Sequence, residues 1–268
     1  MKILSLQNDC SLVSVDDLIA EPYASVIGYP KAKKSILDAI LAEMKTMGVK
    51  SIIFEGPTRM GTLEVLGKGC VGIVVKAVLD DRIMALKVRR TDANRPNMKA
   101  EAKFLRIANS VGVGPVLESY SKNCILMELV PGQSLKEWLS KLHSRGAAPL
   151  LRSIVRDILD QCHRLDDRGI DHGELSNANK HVIVVDRPII IDFESASTRR
   201  RPHNVTSCAQ YIFLGGLTSN RVARILRVLP GEHIIKILRE YGASAQDGPS
   251  FAKLLRRLKL TGKMNRRG

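Results

Sequence analysis

The spacing of apolar residues along the chain differs between its two parts. Between about residues 63 and 130, short stretches rich in β-branched residues follow one another with turn residues between them, which predicts strands interrupted by one helix. After residue 131 the apolar residues recur mainly at helical spacing, most clearly from Pro149 to Asp167. The pattern therefore predicts an α+β fold with a strand-rich part followed by a helical part.

Residues 1–62 are predicted to add helices and a strand ahead of the strand-rich part. Ser14 is expected to cap a short helix with two acidic residues in its first turn. A longer helix is predicted from Pro30 to Met47, and a strand from Val49 to Glu55. The segment is interpreted either as an extension packed on the strand-rich part or as a winged-helix-like nucleic-acid module, and its residues leave both open.

A hairpin is predicted in the second half of the chain. Its strands are Val182–Val185 and Ile189–Ile191, and its turn is Asp186–Pro188. The hairpin separates three oxygen-bearing side chains, namely Glu174, Asn179 and Asp192. Such groups suit a hard divalent cation such as magnesium, which completes its coordination with phosphate oxygens. The stretch therefore predicts a nucleotide site.

A glycine-rich segment upstream is flanked by strand-like residues on both sides. It follows the pattern G-x-G-x-x-G-x-V, with Gly67, Lys68, Gly69, Cys70, Gly72 and Val74 as candidate ligand contacts. A dinucleotide-binding loop instead runs from a strand into a helix, so this context favours a glycine-rich hairpin. Ala85 and Lys87 lie in the next predicted strand, and Glu101 lies on the following predicted helix.

In this order and spacing the segments resemble the signature of protein kinases. His172, Gly173 and Glu174 stand where that family has His-Arg-Asp, Asn179 follows five residues after the acid, and Asp192 opens D-F-E instead of D-F-G. The resemblance implies that the catalytic residues are Lys87, Glu174, Asn179 and Asp192, that Glu101 positions Lys87, and that Met127, Glu128 and Val130 meet the adenine. It also implies ATP and magnesium or manganese as cofactors, with Asn179 and Asp192 as the metal ligands.

The second half departs from ordinary protein kinases. It has no A-P-E motif and too few residues for a full set of large-lobe helices. The chain therefore resembles atypical small kinases: the RIO family, the kinase of the tRNA-modifying KEOPS complex and an archaeal group of serine/threonine kinases. This implies a bilobal kinase-like fold with an N-terminal α/β extension (1–62), a strand-rich small lobe (63–130) and a reduced helical large lobe with basic C-terminal helices (131–268).

Three substitutions within the signature bear on mechanism. Gly173 removes the arginine that reads a phosphorylated activation loop in many kinases, so control by loop phosphorylation is not expected. Glu174 is one methylene longer than the usual aspartate, and a displacement of about 1 Å costs of order a hundredfold in rate. Slow transfer is therefore expected. Glu194 adds a carboxylate that either binds a cation or faces solvent.

Composition indicates a globular protein with an excess of basic residues. The 268 residues have a formal net charge of +15, and from Phe193 onward there are fifteen Lys and Arg against four Asp and Glu. Such a surface either binds RNA or a ribonucleoprotein or is simply solvated. Apolar runs are too short to span a membrane and no secretion signal is recognised, while five scattered cysteines favour a reducing, cytoplasmic setting. Cys70 is interpreted either as a reactive thiol or as a tolerated loop residue.

The expected activity is transfer of the γ-phosphoryl group of ATP to serine or threonine on protein substrates, including the protein itself. Two alternatives keep the nucleotide site: an ATPase switch attached to a ribonucleoprotein or tRNA-modifying assembly, and a pseudokinase that binds ATP without transfer. A small-molecule kinase is less favoured, because no acceptor-binding insertion is recognisable.

Overall fold

The strand-rich part contains short strands and two longer ones. The computed structural model describes residues 12–31, 33–142, 145–228 and 231–261. The strands of this part are β1 (Leu12–Ser14), β2 (Ser51–Ile53), β3 (Thr58–Met60), β4 (Leu63–Val65), β5 (Gly67–Lys68), β6 (Gly72–Leu79), β7 (Arg82–Arg89), β8 (Leu117–Tyr120) and β9 (Cys124–Glu128). The two longest, β6 and β7, are separated by a tight turn and pair along their whole length.

Helices precede and interrupt these strands. They are α1 (Tyr23–Ile27), α2 (Lys34–Thr46) and α3 (Lys99–Asn109), together with a 3₁₀ turn at Val15–Ile19. The Ser14 side chain accepts a hydrogen bond from the Asp16 amide at 3.3 Å, so the predicted cap is confirmed. The predicted helix from Pro30 is wrong at its start, because Lys33 has an extended backbone and the helix begins at Lys34.

The main sheet is antiparallel, with the order β1-β2-β6-β7-β9-β8, and β5 pairs with β6. One of its faces is covered by the N-terminal helices. Buried residues of α2 pack in the same core as the side chains of β6 and β7 on that face: Leu37, Ile40, Leu41, Met44, Ile73, Val75, Ala77, Met84, Leu86 and Val88. The segment before β6 is therefore part of the sheet and of its core.

The opposite face of the sheet presents several residues from the predicted site. Val74 lies directly opposite Lys87, and Ala85 lies directly opposite Met127. Because side chains alternate between the two faces of a strand, these four residues share one face. This face is turned away from the N-terminal helices. The packed core and the candidate site therefore lie on opposite faces of the sheet.

The second part of the chain contains a small sheet and most of the helices. Its sheet has the order β10 (Gln133–Ser134), β11 (Val182–Val184) and β12 (Pro188–Ile190). Its helices are α4 (Leu135–Ser140), α5 (Ala148–Asp167), α6 (Ala178–His181), α7 (Asn204–Leu214), α8 (Gly216–Leu226), α9 (Glu232–Gly242) and α10 (Gly248–Arg257). The predicted hairpin and the helix ending at Asp167 are confirmed.

Pro188 was expected in the hairpin turn but lies in β12, opposite Val184. A proline is tolerated there because β12 is an edge strand and its missing N–H leaves no gap in a ladder. The side chain of Gln161 on α5 covers this edge, since its amide donates to the Pro188 carbonyl at 2.7 Å and accepts from the Ile190 amide at 3.3 Å.

The chain divides into two compact units. The first comprises the residues up to Arg106 together with Val116–Leu129, and the second comprises Ile107–Pro115 and the residues from Val130. The mixed α+β class is confirmed, whereas the bilobal arrangement and the division at residues 62 and 130 stay predictions. Within the part of the chain that the structure describes, no helix is long and apolar enough to cross a membrane.

Glu43 on α2 ties the N-terminal helices to the β8–β9 connection. Its carboxylate accepts hydrogen bonds from the Ser121 hydroxyl at 2.6 Å and from both the backbone and the side-chain amide of Asn123 at 2.7 Å. Asn123 is only 4% exposed. Replacing Glu43 with alanine leaves these donors without their acceptor, so the free energy of unfolding should fall by about 2–3 kcal/mol.

The measurement is urea denaturation of the wild type, Glu43→Ala and Asp38→Ala. Asp38 is exposed on the same helix and serves as the matched control, with an expected change within about 0.5 kcal/mol. Equal stabilities for the two variants would show that Glu43 does not anchor the N-terminal helices.

Candidate functional site

Lys87 and Glu101 form a buried ion pair in the first unit. The Lys87 ammonium donates to a Glu101 carboxylate oxygen at 2.7 Å, and the two side chains are 5% and 7% exposed. Lys87 comes from β7, and Glu101 lies in the first turn of α3. A buried ammonium is tolerated only when a charged or strongly polar partner offsets its desolvation. The pair predicted by the kinase resemblance is therefore present as a contact.

Gly72 leaves room for the Lys87 side chain. A Cβ atom at this position would lie 2.9 Å from Lys87 Cγ and 3.1 Å from the Val88 carbonyl oxygen. Side chains do not approach that closely, so a larger residue would have to displace Lys87. The Gly69 amide donates to the Gly72 carbonyl at 2.8 Å and closes the turn between β5 and β6. The glycines therefore shape a narrow backbone turn directly beside the buried lysine.

Tyr29 contacts the same turn, although sequence reasoning did not include it in the site. The Lys68 ammonium donates to the Tyr29 hydroxyl at 2.7 Å and lies 4.0 Å from the centre of its ring. The Arg90 guanidinium donates to the Gly69 carbonyl at 2.9 Å. Cys70 at the tip is exposed. No local signal could have linked Tyr29 to a lysine 39 residues later.

The segment predicted to meet the adenine crosses the boundary between the units. Met127 and Glu128 end β9, and Val130 is the first residue of the second unit in this region. The Glu128 amide donates to the Val116 carbonyl at 2.8 Å, and its carboxylate accepts from the Val116 amide at 3.1 Å. The Glu128 N–H is therefore engaged within the sheet, and the predicted contacts with adenine stay predictions.

His172 is a buried supporting residue in the second unit. Its Nε2 atom lies 3.0 Å from the Ile191 carbonyl oxygen, and its backbone amide donates to the Asn204 side chain at 2.8 Å. Its ring also packs edge-on against Phe193, with ring centres 5.0 Å apart. Burial lowers the pKa of His172 to about 4, so the ring is neutral at physiological pH. A neutral ring donates from Nε2 to the carbonyl and holds the chain just before Asp192.

Gly173 has a backbone that explains the missing arginine. Its φ is +89°, in the left-handed region, and a Cβ there would lie 2.8 Å from the Ser195 carbonyl oxygen. Arg200 occupies the adjoining space, since it donates to that carbonyl at 2.6 Å and to the buried Asp171 carboxylate at 2.5 Å. A side chain at residue 173 would clash with this arrangement. The buried carboxylate of Asp171 is therefore paired with Arg200, which lies later in the chain.

Glu174, His181 and Asp192 lie close together in the second unit. One potential ligand atom from each residue lies within 4.8 Å of the others. Asp192 has a left-handed backbone with φ of +70°, which a non-glycine residue adopts only when its surroundings hold it. The structure thus brings the predicted Glu174 and Asp192 together and adds His181, which sequence reasoning missed. Glu194 is half-buried.

Asn179 lies in α6, two residues before His181. Its Oδ1 atom is buried and has no hydrogen-bond partner among the described residues, and the same holds for Glu174 Oε2. Buried polar atoms without partners are rare in native structures and indicate a missing ligand, ion or water. The second unit thus holds two buried oxygen atoms, Asn179 Oδ1 and Glu174 Oε2, that lack a hydrogen-bond partner among the described residues.

Comparison with known proteins gives partial matches. No protein-family model matches the chain. It is 33% identical over 116 residues to the KEOPS complex subunit Bud32 of Pyrococcus abyssi, which covers 39% of this chain and 49% of Bud32. The chain thus spans about half the length of that relative, and the similarity supports the kinase-like superfamily at most. The RIO-like affiliation stays a prediction.

A second relative matches over nearly its full length. The chain is 30% identical over 115 residues to the Uncharacterized protein MJ1211 of Methanocaldococcus jannaschii, covering 43% of this chain and 94% of that protein. The chain therefore belongs to the family of this protein.

Removing one partner of the Lys87–Glu101 pair should be costly. In Glu101→Leu the buried ammonium loses its carboxylate, so the free energy of unfolding should fall by about 3–5 kcal/mol. The exposed pair of Arg82 and Glu118 provides the control, because its side chains are 59% and 38% exposed. Glu118→Leu should cost less than about 1 kcal/mol. Denaturant unfolding of both variants is the measurement, and similar losses would contradict the buried role of Glu101.

Proposed function

We propose that this protein is an atypical serine/threonine protein kinase that transfers the γ-phosphoryl group of ATP to protein hydroxyls, including its own. The observation that supports this most directly is the buried Lys87–Glu101 pair at 2.7 Å, beside a glycine turn that has no room for a Cβ at residue 72. A lysine needs no such burial for stability, since an apolar residue packs there at lower cost. A phosphate-binding role gives a reason for keeping it.

ATP fits the residues of the first unit. The glycine turn between β5 and β6 lies beside Lys87, since a Cβ at Gly72 would lie 2.9 Å from Lys87 Cγ, and a glycine-rich turn next to a lysine is the combination that holds phosphate groups in nucleotide sites. Val74, Ala85 and Met127 lie on the same face of the sheet as Lys87 and provide apolar surface suited to a purine. In this proposal Lys87 binds the α- and β-phosphates, and Glu101 keeps its ammonium in place.

Magnesium fits the residues of the second unit. Asn179 Oδ1 and Glu174 Oε2 are buried oxygens with no hydrogen-bond partner among the described residues, and oxygen ligands are those that magnesium prefers. Asn179 and Asp192 would hold the ion. When bound, it neutralises phosphate charge. The neutral ring of His172 donates to the Ile191 carbonyl and so holds the backbone before Asp192 without adding charge to the site.

Glu174 would orient the acceptor hydroxyl and accept its proton. A carboxylate within hydrogen-bond reach of a hydroxyl serves this purpose, and most of the remaining rate enhancement comes from positioning and charge stabilisation. The extra methylene of glutamate shifts the carboxylate relative to aspartate. We therefore expect slow transfer.

A second candidate is an ATPase switch within a larger assembly. Arg199 and Arg201 are exposed in the basic second unit, and one relative of the chain is named as a KEOPS complex subunit. In this alternative the nucleotide site is the same, but water replaces the protein hydroxyl and an RNA or protein partner binds the basic surface. An ATP-binding pseudokinase is the limiting case in which no transfer occurs.

Labelled ATP distinguishes these functions. The wild type, Lys87→Met, Glu174→Gln and Asp192→Asn are incubated with γ-labelled ATP and magnesium, and label on protein and free phosphate are both followed. A kinase should label itself or an added protein. Lys87→Met and Asp192→Asn should lose at least about a hundredfold in rate, because each removes a charge that binds phosphate or metal.

Lys103→Met and Asp186→Asn serve as controls, because both residues are exposed and the first lies on the same helix as Glu101. Their rates should match the wild type. Free phosphate without labelled protein would favour the ATPase switch. Nucleotide binding without either product would favour the pseudokinase, and unchanged transfer in Lys87→Met would rule out the phosphate role of this lysine.

RNA binding through the basic surface has its own test. Arg199→Glu combined with Arg201→Glu should weaken RNA binding and flatten its dependence on salt, because fewer counterions are released. Arg200 is left unchanged, since it pairs with the buried Asp171. Filter binding of single-stranded RNA at several salt concentrations gives the slope, and Arg187→Glu in the exposed hairpin turn is the control. An unaltered slope in the double variant would contradict binding at this surface.

A further inference from the structure

The group formed by Glu174, His181 and Asp192 contains a nitrogen donor that the proposed magnesium site does not use. His181 Nδ1 lies 3.8 Å from Asp192 Oδ2, and the potential ligand atoms of all three residues lie within 4.8 Å of one another. Donors bound to one ion at about 2.1 Å are separated by roughly 3–4 Å. A small inward movement of the side chains would therefore let all three contact a single cation.

The state of His181 provides a second, independent observation. The residue is 7% exposed, and its Nδ1 atom is buried without a hydrogen-bond partner among the residues that the structure describes. Glu174, which belongs to the same group, also has a buried oxygen, Oε2, without a partner among these residues. Native structures rarely leave such atoms unsatisfied. An ion bound by this group would give His181 Nδ1 the partner that it lacks.

The backbone holds His181 toward the acids. His181 is the last residue of α6, and its carbonyl accepts a hydrogen bond from the Ile191 amide at 2.9 Å. This bond brings the residue just before Asp192 beside His181. The ring of His172 packs edge-on against the ring of His181, with centres 5.5 Å apart. The imidazole therefore has support from two sides and faces the carboxylates.

We propose that Glu174, His181 and Asp192 form a site for a divalent first-row transition-metal ion, with His181 Nδ1 as its nitrogen ligand. Magnesium takes oxygen ligands and gains nothing from an imidazole, whereas manganese and zinc accept mixed nitrogen and oxygen ligands. The nitrogen ligand thus sets the preference for one class of cation over the other. The site shares two acids with the proposed function but requires no nucleotide, and it stands whether or not the protein transfers phosphate.

Metal binding is measured on the nucleotide-free, untagged protein. Electron paramagnetic resonance of free Mn²⁺ gives its affinity, and Zn²⁺ and Mg²⁺ are then added as competitors. Zn²⁺ should displace Mn²⁺ at least about a hundredfold more effectively than Mg²⁺ does. His181→Leu should weaken Mn²⁺ and Zn²⁺ binding by at least about tenfold and leave Mg²⁺ affinity within about twofold. His233→Leu, an exposed histidine on α9, is the control and should match the wild type.

A spectroscopic measurement on the wild type guards against a variant that does not fold. With ¹⁵N-labelled histidine, pulsed electron paramagnetic resonance of bound Mn²⁺ should show coupling to one imidazole nitrogen. Absence of that coupling would overturn the proposal, as would equal Zn²⁺ affinity in the wild type and a folded His181→Leu. In that case His181 serves only as the ion-pair partner of Asp192. Failure of ATP labelling with intact Mn²⁺ coupling would refute the kinase function and leave the metal site standing.

Discussion

The first unit depends on one constraint, the buried ammonium of Lys87, a residue that is 4% exposed. The desolvated charge requires an anion at contact distance, and Glu101 provides it from the first turn of α3. The same charge requires space in the sheet, which the missing Cβ of Gly72 provides. The N-terminal helices bury the opposite face of β6 and β7, so the core and the charged pair lie on different faces. Because side chains alternate between the two faces of a strand, apolar side chains are buried on one face and the charged pair on the other.

The second unit solves a related problem around Asp171, which is 2% exposed. Its carboxylate is paired with Arg200 and lies 3.2 Å from His203, both supplied by the segment after Asp192. This arrangement requires a residue without a side chain at position 173, because the space beside that backbone is filled by Arg200 and the Ser195 carbonyl. The choice of glycine at position 173 therefore depends on where the segment containing Ser195 and Arg200 runs. An arginine at 173 would have to displace Arg200, so the two positions can be understood only together.

The sequence predicted the elements that are determined by residues close together in the chain. Runs of β-branched residues predicted the strand-rich part, helical spacing predicted α5, and the spacing of the kinase-like motifs predicted the contact between Lys87 and Glu101. Features set by distant parts of the chain were missed. Tyr29 reaches Lys68 across 39 residues, and Glu43 binds Asn123 across 80. Pro188 was placed in a turn because nothing in its neighbours shows that β12 is an edge strand. His181 was missed because it lies directly before the predicted apolar strand Val182–Val185, although a polar residue two positions after Asn179 was a signal that could have been used.

Glutamate at position 174 links the two proposals. Its longer side chain allows the carboxylate to lie within 4.8 Å of both His181 and Asp192, whereas an aspartate would end about one bond length earlier. A carboxylate bound to a cation is a weaker base, so the same group cannot hold a transition-metal ion and accept a hydroxyl proton with full efficiency. If both proposals hold, binding of such an ion opposes the proposed proton transfer to Glu174 and leaves the proposed phosphate contacts of Lys87 untouched. Taken together, the two proposals imply that the rate of transfer depends on which divalent ion His181 and the two acids bind.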